Sequence, residues 1–279
     1  MFRSSYKIAT VWGIPIKVHI SLVVLLLIFC VEALVRAQPG YALLDVTTAF
    51  VFGVCLYTCI AFHELGHSYF ALRKGCRVKQ ITLMLIGGAA QMERMPQRPR
   101  DELIMAIAGP AVSLLLGAVT VPLGLWLIPR TSGLWRHVSR HVFFLGAINL
   151  AWVIFNLLPA FPMDGGRILR ALLTPRLGRL RATFIAARLG QLLAIVGGIF
   201  ALRWSQWILV AIAVFIYALA GNELKMVELQ ETLKRRGFTI WPPFTPREKP
   251  RPVDDDEVQI GPPPYRAGPD SRSEIRPND

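Results

Sequence analysis

Acidic residues are scarce in this chain. Its 279 residues hold 18 Asp and Glu against 31 Lys and Arg, and charged side chains of both signs make up only 18%. A soluble domain carries about a quarter charged residues, so the composition argues against a water-soluble globular protein. Cysteine is sparse too. Cys30, Cys55, Cys59 and Cys76 are the whole complement; three lie in apolar runs, where they read as small buried hydrophobes rather than a disulfide framework. No unit recurs at a fixed period, which excludes a repeat architecture. The opening "MFRSSYKIATVWGIPIKVHI" is basic and then mixed, and no small-residue cleavage site follows it. It does not read as a cleavable signal peptide.

What the chain has in abundance is apolar length. It is 53% hydrophobic, with a mean hydropathy of +0.45. About 20 mostly apolar residues suffice to cross a bilayer as a helix. Six segments qualify, at roughly 19–36, 46–72, 102–128, 141–158, 183–202 and 205–221. The last two are separated by "RWSQ" alone, which requires a tight helical hairpin; Arg203 at that junction would be out of place inside one long span. Between the second and third runs, "RVKQITLMLIGGAAQME" is short, partly β-branched and broken by Gly87-Gly88. It reads as one or two strands with a turn or bulge. The expected fold class is an all-α polytopic membrane protein of about six transmembrane helices, with a small membrane-associated β element after the second.

The net charge of +13 does not point to nucleic acid, because the basic residues flank apolar runs. Of the 31 Lys and Arg, 25 fall on one side of a six-span arrangement and 5 on the other. The positive-inside rule then places both termini in the cytoplasm. The expected organisation is a transmembrane domain over 1–222, a short cytoplasmic helix over 223–238 and a tail over 239–279. That tail holds ten of the twenty prolines and cannot build a packed core.

Chemistry is concentrated in two places. The first is "HELGH" in the second run. His63 and His67 are four residues apart and share one helix face. Two imidazoles so placed bind zinc, and the intervening Glu64 serves as general base toward a water. A glutamate deep in a bilayer costs about 2.5–3.5 kcal/mol or more unless compensated, and a cation in an aqueous pocket would compensate it. The other reading is polar glue between helices.

A catalytic zinc takes a third protein ligand and keeps a position open. His137 and His141 flank the start of the fourth run on the far side and are poor candidates. His19, at the cytoplasmic end of the first run, is harder to dismiss. The strongest is Asp164 in "NLLPAFPMDGGRILRALL", the second place. Pro159 and Pro162 break the helix before it, and Gly165-Gly166 permit a tight turn after it. Asp164 could equally cap the helix that follows.

These two motifs together resemble the site-2 protease family of intramembrane zinc metalloproteases. Asn156, Pro159, Pro162, Asp164 and Gly165 match that family's N-x-x-P-x-x-P-x-D-G pattern, with Met163 where Leu is frequent. "GIPIKVHISLVVLL", "GGAAQME" and "AGPAVSLLLG" are also similar, so the resemblance covers roughly 10–222. It implies one Zn2+ held by His63, His67 and Asp164, with Glu64 as base. It implies that Asn156 steadies the substrate carbonyl or developing oxyanion, and that Gly87, Gly88 and Ala89 lie along the substrate. A cleavable helix must unwind, and an edge strand could pair with its freed backbone; a plain turn is the alternative for Gly87-Gly88.

The implied partners are a transmembrane protein substrate, membrane lipid and possible regulatory membrane proteins, with no nucleic acid. The implied location is a multi-pass membrane protein of a prokaryotic inner membrane. The loop after the second run is too short for an inserted PDZ-like domain, and no pair of nucleotide-sensing domains follows the last run. Two other readings are a non-catalytic zinc-binding scaffold for transmembrane helices and a cation transporter. The intact Glu64 argues against a scaffold, and the near absence of carboxylates and histidines on the other runs argues against a transporter. Cys59, one turn from His63, suggests oxidative sensitivity of the site, against the simpler reading of a small packing residue.

Overall fold

The computed structural model describes residues 5–37, 39–85, 87–92, 96 and 98–236. The chain begins with a hairpin, β1 (Ser5–Val11) and β2 (Ile14–His19), and continues through α1 (Ile20–Arg36) and α2 (Ala42–Arg73). Then come β3 (Val78–Met84), β4 (Gly87–Met92), α3 (Pro99–Leu127) and α4 (Gly133–Asn156). The chain ends its described part with α5 (Asp164–Leu177), α6 (Arg179–Arg203) and α7 (Trp207–Arg235).

Among the described residues, five helices are long and apolar enough to cross a membrane: α2, α3 with the short turn after it, α4, α6 and α7. The sixth expected span is α1, apolar but only 17 residues long, or about 26 Å at 1.5 Å per residue. The tight hairpin expected near residue 204 is present. Arg203 ends α6, Ser205 takes a left-handed φ of 55°, and the Gln206 amide donates back to the Ala201 carbonyl.

The β element expected after the second helix is present, as half of a four-stranded sheet in the order β1-β2-β3-β4. The β1-β2 and β3-β4 pairs are antiparallel, and β2 pairs with β3 in parallel across α1 and α2. The missed hairpin turns at Trp12 (φ 50°) and Gly13 (φ 78°), two left-handed residues of the kind a two-residue hairpin loop demands. One expectation is not met, the separate short helix over 223–238. No separate helix begins there: α7 continues through residue 222 to Arg235. Residues 237 and 238, and the whole 239–279 tail, lie outside the described residues.

The sheet sets the position of the site. Its inner face contributes Ile14, Ile16, Ile81 and Leu83 to a core shared with Leu22 of α1, Tyr57, Ile60 and Leu65 of α2 and Met105 of α3. The Tyr57 hydroxyl donates to the Leu85 carbonyl at 3.2 Å, which ties the β3-β4 turn to α2. A buried ion cluster joins four helices. Arg170 of α5 is only 1% exposed and so is Glu102 of α3. Their side chains pair at 2.5 Å; Glu223 of α7 accepts from Arg170 at 2.8 Å, and Arg179 of α6 stands 3.6 Å from Glu102. Buried charges persist only when paired, so this cluster fixes α5 against α3, α6 and α7.

Candidate active site

α2 carries "HELGH" as regular helix, so His63 and His67 stack on one face with ring centroids 4.8 Å apart. α4 ends at Asn156, and Leu157–Met163 form a non-helical turn before α5 starts at Asp164. Met163, rather than Asp164, occupies the N-cap position of α5. The aspartate side chain is thereby free to reach α2. Its Oδ2 lies 3.2 Å from His63 Nε2 and 3.2 Å from His67 Nε2, and the two Nε2 atoms are 3.1 Å apart. All three residues are buried. Burial by itself would raise the Asp164 carboxyl; the adjacent His67 and His63 imidazoles, and more distantly Arg167, hold it below the usual carboxylate range.

This donor set fits a metal ion. The ligand atoms of a tetrahedral zinc site with bonds of about 2.0–2.1 Å stand about 3.3 Å from one another, close to the triangle these three atoms make. The remaining ring nitrogens are also committed. His63 Nδ1 is 2.9 Å from Ser113 Oγ, and His67 Nδ1 is 2.7 Å from the Met105 carbonyl. Outer partners of this kind fix the tautomer that leaves Nε2 as ligand. Among the described residues no other group of three such side chains could hold a metal. His19 is not part of it: its Nδ1 accepts from the Ser21 amide and caps α1.

Glu64 points toward β4. The Ala90 amide donates to Glu64 Oε2 at 3.2 Å. A Cβ built on Gly88 would stand 2.5 Å from Glu64 Cγ, so only glycine leaves the glutamate where it is. Gly87, with φ 124°, faces the Trp152 ring of α4. β4 is an edge of the sheet, paired on one side with β3. Asn156 closes α4, and its Nδ2 is buried with no hydrogen-bond partner. A buried unsatisfied donor requires an explanation.

Three features escaped the sequence reading. Gly109 of α3 presses its backbone so close to the metal triad that a Cβ would overlap the Nε2 atoms of both histidines. Ser113 lies one turn further along the same face and reaches His63. The Met105 carbonyl, one turn before Gly109, reaches His67. Their signal is the four-residue spacing of Met105, Gly109 and Ser113 in an apolar helix. It is weak without knowledge of what that face opposes.

Residues 51–131 and 126–197, together more than half of the chain, match the model of Peptidase family M50. The chain belongs to peptidase family M50. A zinc metalloprotease of Methanocaldococcus jannaschii is 34% identical over 230 residues, which is 82% of this chain and 63% of the relative. Stage IV sporulation protein FB of Bacillus subtilis is 31% identical over 125 residues, 44% of this chain and 41% of that protein. The solved site-2 protease from Methanocaldococcus jannaschii superposes with a TM-score of 0.54 at 34% identity, covering 79% of this chain and 95% of that one. The resemblance read from the two motifs is therefore met at the level of family and fold. Family membership and the five membrane-capable helices make this M50 member an integral membrane protein. The chain spans between half and just under two thirds of the length of the first curated relatives it matches.

Proposed function

We propose that this M50 member is an intramembrane zinc metalloendopeptidase that hydrolyses peptide bonds in or beside the transmembrane segments of other membrane proteins. The observation that carries this reading is the convergence of His63, His67 and Asp164 on one point, from two helices, with Glu64 held beside it by an edge strand. Zinc, when bound, supplies Lewis acidity that polarises a carbonyl and makes water a stronger acid.

The residues of the chain do the rest. Glu64 removes a proton from the attacking water and returns it to the leaving amide nitrogen. The Ala90 amide restrains that carboxylate between the two steps. The substrate, locally unwound, pairs its backbone with the open side of β4 along Gly87, Gly88 and Ala89, where alternate side chains are absent or small. The unpartnered Asn156 amide donates to the carbonyl oxygen as charge develops on it. The ion cluster around Arg170 fixes α5, and with it Asp164, without touching the reacting atoms.

The orientation follows from charge: with the basic loops inward, both termini are cytoplasmic, and the site lies about 9–15 Å before the cytoplasmic end of α2. Products are released inward from a prokaryotic inner membrane. Co-expression of tagged single-span membrane proteins with the wild type or Glu64→Gln tests the reading. A truncated product made by the wild type and absent with the variant is expected, both proteins retaining zinc. A wild type that purifies without zinc and cleaves none of the panel would overturn it.

A further inference from the structure

A cavity of about 60 Å³ lies one helical turn from the metal triad along α2, lined by Leu56, Cys59, Ile60, Ser113, Asn149 and Trp152, with Ile148 completing the wall. Its polar lining is already committed. Ser113 Oγ engages His63, and Asn149 Nδ2 donates to the Leu145 carbonyl at 2.8 Å. What faces the space is therefore aliphatic and aromatic carbon with the small Cys59 thiol. Two walls connect it to the site. Ser113 touches the ligand His63, and Trp152 stands between the cavity and Gly87 of β4, where a bound strand would pass.

We infer that this cavity is a side-chain subsite that selects a branched aliphatic residue flanking the scissile bond. The inference rests on the proteolytic reading above and names the substrate feature it recognises. Size sets the preference. An apolar cavity of about 150 Å³ takes benzene, so one of about 60 Å³ takes about two to three carbons, the side chain of valine. Alanine leaves part of it empty. Leucine and phenylalanine exceed it unless a wall moves. A missing methylene in an apolar pocket costs about tenfold or more in discrimination, so Val is favoured over Ala by at least that factor.

The test uses the full-length, zinc-loaded protein in detergent and short peptide hydroxamates, which chelate the metal directly and do not require the natural substrate. Two series carry the chelating group at the N- or the C-terminal end, so that either flank is sampled, and the adjacent residue is Ala, Val, Leu or Phe. In one series the wild type is expected to bind Val at least tenfold more tightly than Ala, with Leu and Phe weaker than Val. Ile148→Ala enlarges the cavity and should raise the affinity for Leu relative to Val about tenfold. Leu56→Phe fills it and should erase the advantage of Val over Ala. Zinc content reports whether each variant is folded at the site. Binding in both series with no dependence on the side chain, or a preference that neither variant shifts, overturns the subsite and leaves the protease reading intact. Failure of every hydroxamate to bind the zinc-loaded wild type would instead overturn the accessible metal centre itself, and the subsite with it.

Discussion

The Ala90 amide donates to Glu64 Oε2 at 3.2 Å, and through that bond an edge strand and a membrane helix hold one carboxylate between them. The strand does so by close approach as well as by hydrogen bonding, since Gly88 leaves no room for a side chain at the glutamate. The element proposed to receive substrate and the residue proposed to move protons are thus one mechanical unit. Displacing either displaces the other.

Gly88→Val tests that coupling. A β-branched residue suits a strand, so β4 should persist, but its side chain would occupy the position of Glu64 Cγ. Cleavage is expected to fall at least tenfold while zinc stoichiometry stays at that of the wild type. Gly88→Ala should give a smaller loss in the same direction. A Gly88→Val protein as active as the wild type would show that β4 does not constrain Glu64.

Asn156→Ala should lower kcat about a hundredfold, with little change in KM or zinc content. This is the pattern for a donor that acts on developing charge rather than on the bound ground state. Single-turnover cleavage of a reconstituted substrate would measure it. A rise in KM with kcat unchanged would assign Asn156 to substrate binding alone.

How much was legible before the structure depended on the range of the signal. "HELGH" and Asp164 were legible because ligand chemistry demands particular residues at a fixed helical spacing or beside a helix break. Spans were legible because about 20 apolar residues have few other uses. The β1-β2 hairpin was missed because its residues run without a break into the apolar α1, and the Trp12-Gly13 turn is a short signal beside a long one. Its pairing with β3 is parallel and crosses α1 and α2, which no local pattern encodes. Gly109 and Ser113 were missed for the same reason: their importance lies in which face of α2 they oppose. The relation of 223–235 to α7 was misjudged because the change from apolar to charged composition marks a change of surroundings, and the helix continues through it.

The Arg170 cluster predicts a stability effect that can be separated from catalysis. Arg170→Met leaves Glu102, 1% exposed, with the more distant Arg179 as its ion-pair partner among the described residues. Breaking a buried pair from one side costs about 3–5 kcal/mol, whereas replacing both partners with apolar residues is often close to neutral. Arg170→Met should therefore lower the thermal midpoint in detergent clearly, and the Glu102→Leu, Arg170→Met double variant should recover most of the loss. Equal midpoints for the single and double variants would show that the two charges are not coupled.

Ser113→Ala separates metal affinity from the proton chemistry of Glu64. Ser113 Oγ stands 2.9 Å from His63 Nδ1 and is 1% exposed, so water cannot easily take its place. Without it the His63 ring loses the partner that fixes its tautomer and orientation, and a buried ring nitrogen is left unsatisfied. Loss of such a partner typically weakens metal binding by about 10–100-fold. Competition against a chelator of known zinc affinity should show a shift of that size. Activity should return to near the wild-type level when zinc is supplied in excess, because Glu64 and Asn156 are untouched. Ser113→Thr keeps the hydroxyl and should retain tighter zinc binding than Ser113→Ala. Unaltered zinc competition in the alanine variant would remove Ser113 from the metal centre and leave it as a packing residue between α2 and α3.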